Sequence, residues 1–248
     1  MDKSRYCVPP DIWLDYRRVV WFPDQSILAA ADLHLGYAWA HRHSGQLMPI
    51  SVEDDAILRL TRLVAEYKPR QTILLGDLVH AALPIPKVEG ELRRLCDLLR
   101  DVTEPILVLG NHDRGLAKLS RAFLPGLRPC AHYIAGDRIF THGDLDRARG
   151  NRFIVMGHEH PAISLGDGVA TSQKFPCFLR SERLLILPAF SQWAAGTSIH
   201  QGFMSPLARS AHFTEAIAIL GNNLLPVRLA AEQTKPNRVN GRAQQTRQ

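Results

Sequence analysis

Residues 105–114 read PILVLGNHDR, and the architecture depends on where that stretch divides. Residues 105–109 are an uncharged apolar run that suits a buried strand. A glycine after it lets the backbone turn sharply, which sets an amide, an imidazole and a carboxylate (Asn111, His112, Asp113) at the mouth of a sheet. Alone, the stretch fits a polar loop after a core strand equally well, because short motifs often match by chance.

The same pattern recurs on both sides. Residues 18–22 and 26–31 read as two strands joined by the turn PDQS, and the second runs straight into DLHLG (32–36). Residues 72–75 make a short apolar strand ending in GDLVH (76–80). Between them, Ile57, Leu60, Leu63 and Val64 recur at helical spacing and predict an amphipathic helix over 52–67. Ser51 would be its N-cap, with Glu53, Asp54 and Asp55 in the first turn, where they complement the helix dipole. A second helix is expected over 88–99, with Leu92, Leu95, Leu98 and Leu99 on one side. Downstream, 133–135 and 138–140 flank Gly136-Asp137, a hairpin signal, and the second of these strands ends in THGD. Residues 153–156 form a strand that ends in GHEHP (157–161), and 177–180 with 183–187 make another hairpin, closed by LPAF.

Five polar clusters therefore follow five apolar strands: Asp32 and His34; Asp77; Asn111, His112 and Asp113; His142; His158 and His160. In an open α/β sheet, loops at strand ends converge on one crevice. Any single member has an ordinary explanation, since Gly-Asp is a common turn and Asp32 could start an Asx-turn. Recurrence at five strand ends favours a shared site. Oxygen and nitrogen donors without sulfur suit divalent ions such as Mn, Fe or Zn. There are more donors than one tetrahedral ion can use, which suits two ions roughly 3.5–4 Å apart. Asp77, arriving alone, is the natural bridge between them.

The 248-residue chain, 46% hydrophobic and 22% charged, is long enough for one large domain with a real core. No uncharged apolar stretch approaches the ~18 residues that span a bilayer. The N-terminal residues lack the apolar core of a signal peptide. Cys7, Cys96, Cys130 and Cys177 are scattered, which argues against a thiolate site or a disulfide framework and fits a reducing cytoplasm. A net charge of +6 tilts the expectation towards a polyanionic partner. From residue 231 the composition becomes polar and basic, so 1–230 are expected to form the domain and 231–248 a disordered basic tail.

The order D-x-H, GD, GNHD, HG and GHxH over about residues 26–161 resembles the calcineurin-like metallophosphoesterase superfamily. More narrowly, DLHLG with HRHSGQLMP behind it, GDLVH, GNHDRG, GHEHP, PCF and LPAF resemble the DNA ligase-associated metallophosphoesterases. Those are similar to the nuclease subunits of bacterial double-strand-break repair complexes. The resemblance implies an α/β fold, a single-domain, four-layer αββα sandwich of two packed sheets with helices outside. It implies that Asp32, His34 and His160 hold one ion, Asn111, His142 and His158 the second, and that Asp77 is shared. His112 would meet the substrate phosphate, and Asp113 would orient His112 by a hydrogen bond.

Arg114, next in line, is a candidate for gripping a phosphate oxygen. The cofactors expected are two divalent metal ions, Mn²⁺ first, with Fe, Zn or Mg as alternatives. The expected activity is phosphodiester hydrolysis, with DNA as substrate and a DNA ligase and helicase of the same repair pathway as partners. A small-molecule phosphoesterase and a non-catalytic scaffold subunit are the rival readings. Tyr37 stands where the narrower family is often basic, and Glu159 is an acid that suits the site only if it points away. Fifteen residues, 143–157, separate His142 from His158, which hints at an open site. Arg147, Arg149 and Arg152 lie within that segment and are expected to border the site. With no reading helix and no row of aromatic platforms, little base preference is expected.

Overall fold

The chain begins as a meander. β1 (Arg5–Val8), β2 (Ile12–Asp15), β3 (Val19–Phe22) and β4 (Ile27–Ala31) pair antiparallel in sequence order. β5 (Gln71–Leu75), β6 (Glu104–Val108) and β7 (Arg128–Cys130) then add in parallel to complete a seven-stranded sheet. The meander's first two strands were not anticipated, and they sit at that sheet's edge. Pro129 is tolerated in β7 because this strand forms the opposite edge. The computed structural model describes residues 3–46, 55–80, 86–116, 126–146, 150–166 and 172–230.

Three helices lie between these strands in sequence: α1 (Tyr37–His43), α2 (Ala56–Tyr67) and α3 (Pro86–Arg100). Helix α2 starts later than its periodicity suggests. Asp55 is the N-cap, its carboxylate accepting the Ile57 and Leu58 N–H groups at 2.9 and 3.1 Å. The expected cap, Ser51, lies outside the described residues.

A second, nine-stranded sheet contains β8 (Tyr133–Ala135), β9 (Arg138–Thr141), β10 (Phe153–Met156), β11 (Pro161–Gly166), β12 (Ser172–Ser181), β13 (Leu184–Ile186), β14 (Thr197–Ser198), β15 (Phe213–Leu220) and β16 (Asn223–Arg228). β9, β10 and β13 run parallel. β12 is long enough to pair with β11, β13 and β15 along its length.

β3, β4 and the later residues of β5 and β6 are apolar because both faces are covered, and alternate residues divide between two cores. Leu28, Ala30, Leu74 and Leu107 face α2 and α3, where they meet Leu60, Leu63, Leu92, Leu95 and Leu99. Ile27, Ala29, Ala31, Ile73, Leu75, Ile106 and Val108 face the second sheet, meeting Phe140, Val155, Phe178, Leu185 and Ile217. The second sheet's outer face carries a third core, capped by α4 (Pro206–Ser210) and a 3-10 turn at Ile199–Gln201. The layers are therefore helix, sheet, sheet and a thin helical cover. The sheets are joined at one end, where the Phe190 N–H donates to the Ala31 carbonyl at 2.7 Å and the Ser191 N–H to the Asp32 carbonyl at 3.2 Å. Among the described residues, no helix is long and apolar enough to cross a membrane.

Candidate metal centre

The five polar clusters emerge where strands end: after β4, β5 and β6 in one sheet, after β9 and β10 in the other. Their side chains converge into two groups, Asp32 with His34 and His160, and Asp77 with His142 and His158. In the first group His160 Nε2 lies 3.5 Å from Asp32 Oδ2 and 3.3 Å from His34 Nε2. In the second, His142 Nε2 lies 3.5 Å from Asp77 Oδ1, 3.1 Å from His158 Nδ1 and 3.0 Å from Asn111 Oδ1.

The proton bookkeeping shows what these groups can hold. His142 Nδ1 faces the Leu75 carbonyl at 3.2 Å, so it must carry the hydrogen, and Nε2 is left with a lone pair. That lone pair points at a carboxylate and an amide oxygen, two acceptors that cannot pair with it, and at a second imidazole. Asp32 Oδ1 and His34 Nδ1 are likewise buried without a hydrogen-bond partner. Burial drives the His34 imidazole down to about 3, so it stays neutral with a lone pair available. Burial alone would raise the Asp32 carboxyl, but the neighbouring imidazoles His160, His142 and His34 outweigh it and hold Asp32 ionised. Two carboxylates, four imidazoles and an amide oxygen aimed inward fit a pair of divalent cations.

The backbone is bent to make this possible. Asp32, His34, Asp77, His158 and His160 all have left-handed φ, between 44° and 71°. They make up five of the eight non-glycine residues in that region among those described. Such conformations each cost about 1–3 kcal/mol and persist where the surroundings enforce them. The two carboxylates are braced across strands: the His158 N–H donates to Asp32 Oδ2 at 2.9 Å, and the His112 N–H to Asp77 Oδ1 at 3.0 Å.

His112 belongs to neither group. Its Nδ1 sits 2.7 Å from the His80 carbonyl and so donates to it, and its Nε2 is turned to Asp77 Oδ2 at 3.9 Å. The ring is half-exposed. Asp113 does not orient it as expected. Its buried carboxylate instead accepts the Gly110 N–H at 3.0 Å and the Val79 N–H at 3.3 Å, bracing the β5 and β6 loops against each other. Burial lifts the Asp113 carboxyl to about 6. The orienting partner of His112 is a backbone carbonyl, for which no side-chain pattern exists.

Glu159 points away from the centre. It is buried and accepts the Met204 and Ser205 N–H groups ahead of α4. Arg152 stands at the start of β10, the opposite end from His158, so it does not border the site. Arg147, Arg149 and the side chain of Arg114 lie outside the described residues. The ring of His80, quoted within GDLVH but given no role there, packs between Tyr37, with centroids 4.4 Å apart, and His34, at 5.5 Å.

Two sheets meeting over paired carboxylate–imidazole clusters define a dinuclear metallohydrolase. Residues 26–174 match the calcineurin-like phosphoesterase family, and the chain belongs to it, a metal-dependent phosphoesterase. No curated protein matches the chain significantly. Among solved structures, it is similar to the Pseudomonas putida nuclease MPE, at 23% identity and a TM-score of 0.67, covering 90% of this chain and 98% of that one. At that identity the likeness establishes the fold.

Proposed function

We propose that this phosphoesterase cleaves phosphodiester bonds in DNA, as a manganese-dependent nuclease of the DNA ligase-associated group acting in DNA repair. One observation carries the reading: a half-exposed His112, locked by its Nδ1–H, presents Nε2 beside the two acceptor clusters. When bound, two divalent cations neutralise the phosphate and lower the pKa of an attacking water. Asp32, His34 and His160 would hold one, Asn111, His142 and His158 the other, and Asp77 both. Because Nδ1 is committed, His112 can deliver a proton only from Nε2, to the oxygen that leaves as the P–O bond breaks. A DNA strand leaves as an alkoxide and needs that proton. The shortness of the 143–157 segment suits a site open to a polymer, and the net charge of +6 suits a polyanion. The likeness to a protein described as a nuclease supports the same reading. A DNA ligase and a helicase of the same repair pathway are the partners it carries.

The test is cleavage of single-stranded, duplex and nicked DNA by the full chain with Mn²⁺. His112→Ala should keep its metal and lose about 10²–10⁴-fold in rate, the usual contribution of a positioned acid. Turnover of small phosphodiesters with no cleavage of any nucleic acid would hand the site to the small-molecule rival.

A further inference from the structure

We propose that Tyr37 and Trp193 form a stacking site for a nucleobase next to the cleaved phosphate. The proposal rests on the phosphodiesterase reading above. A cavity of about 250 Å³ opens beside the metal centre and shares His34 with it, and Tyr37, Trp39 and Trp193 line it. Tyr37 and Trp193 lie within 5° of parallel with centroids 6.1 Å apart. The ring of Tyr37 then meets His80 at 4.4 Å, and His80 lies 6.1 Å from His112 at 20°. Trp193, Tyr37, His80 and His112 thus form a track of rings from the cavity to the residue that faces the phosphate, all four half-buried.

Tyr37 also meets His41 within α1, at 4.4 Å, but neither Tyr37 nor Trp193 fills the interior. Tyr37 and Trp193 belong to none of the three hydrophobic cores and do not pack against them. Both are mounted on backbone that serves the centre. Tyr37 opens α1 three residues after His34, and Trp193 follows Ser191, whose N–H holds the Asp32 carbonyl. A base resting on them would be held at a set distance from the phosphate.

The cavity's charge selects what enters. Asp55 and Glu91 line it beside Arg94, which is paired with Asp55 at 2.6 Å. Two carboxylates against one guanidinium repel a phosphate, which keeps the strand's backbone out of the cavity and leaves it to an uncharged ring. The volume lies below the roughly 300–1,000 Å³ of sites for drug-sized ligands and suits one flat ring system. A base paired in a duplex cannot enter such a slot without leaving its stack. The row of aromatic platforms missing from the sequence is assembled here from positions 37, 80, 112 and 193.

The probe is a cleavage-resistant phosphorothioate single strand carrying 2-aminopurine, titrated with the full chain. Stacking should quench its fluorescence. Tyr37→Ala and Trp193→Ala should each weaken binding roughly 5- to 150-fold, the range for one stacked base. Tyr37→Phe and Trp193→Phe should bind like the wild type, and thermal melts of all four variants control for folding. With Mn²⁺ and a cleavable strand, an abasic residue beside the cut should slow the wild type, and Trp193→Ala should add little further loss. Unchanged quenching in both alanine variants, or equal slowing by Trp193→Ala on intact and abasic strands, would overturn the proposal. Quenching without cleavage of any nucleic acid keeps the stacking site and sinks the nuclease reading. Cleavage without quenching does the reverse.

Discussion

Gly110 occupies a place where no side chain fits. A Cβ there would lie 2.3 Å from Asp77 Oδ1 and 2.5 Å from the Asp77 nitrogen. Its φ is not left-handed, so the glycine is needed for space and not for the sharp turn its position suggested. Gly110→Ala should displace the Asp77 carboxylate, deplete both metal positions and slow hydrolysis on the order of 10²-fold, as misplacements near 1 Å do. Elemental analysis finding two ions per chain, with a normal rate, would contradict this. At this scale the donors were legible because carboxylates and imidazoles after apolar runs have few other uses. The Asp113 contacts were not legible, because they run to the backbone N–H groups of Gly110 and Val79, which every residue but proline offers.

Among the elements, β4, β5 and β6 were legible because strands covered on both faces tolerate almost only apolar residues. β15, with sequence FTEAIAIL, was not. Its alanines and glutamate favour helix, and only its place between β12 and β16 makes it a strand. The meander is tied to α2 by a polar knot centred on Asp15, which is 1% exposed. Asp15 accepts the Arg17 N–H and Nε–H at 2.9 Å and the Tyr67 hydroxyl at 2.7 Å. Burial alone would raise its pKa, but the Arg17 hydrogen bonds and Tyr67 together hold it below the ordinary 3.8. A depressed carboxyl stabilises the fold above its unfolded value and loses that contribution as pH falls through the folded one. Stability should therefore decline below about pH 4. Asp15→Ala should cost about 1–3 kcal/mol at neutral pH, because the Tyr67 hydroxyl and the Arg17 backbone N–H lose their acceptor while the Arg17 guanidinium keeps Glu66, and should flatten the acid decline. Urea titrations at pH 3 and pH 7 check both.

For the whole molecule, charge decides how a polymer is met. The described fold spreads its arginines into local pairs, such as Arg17 with Asp15 and Glu66, and Arg94 with Asp55. Residues 231–248 differ. Lys235, Arg238, Arg242 and Arg247 against Glu232 give four minus one, or +3, with the terminal carboxylate excluded. That segment lies outside the described residues, so its expected role rests on charge alone. Phosphate contacts of this kind release counterions, carry no base preference and weaken steeply with salt. For a single strand each such contact adds about 0.7 to the slope of log K against log salt. Deleting 231–248 should therefore weaken DNA binding and reduce that slope by about 2–3 if all four cations engage. Hydrolysis of a small phosphodiester should not change, because none of the residues around the metal centre is touched. Filter binding between 50 and 200 mM salt separates the outcomes. Equal slopes with and without the segment would place the phosphate contacts on the folded domain.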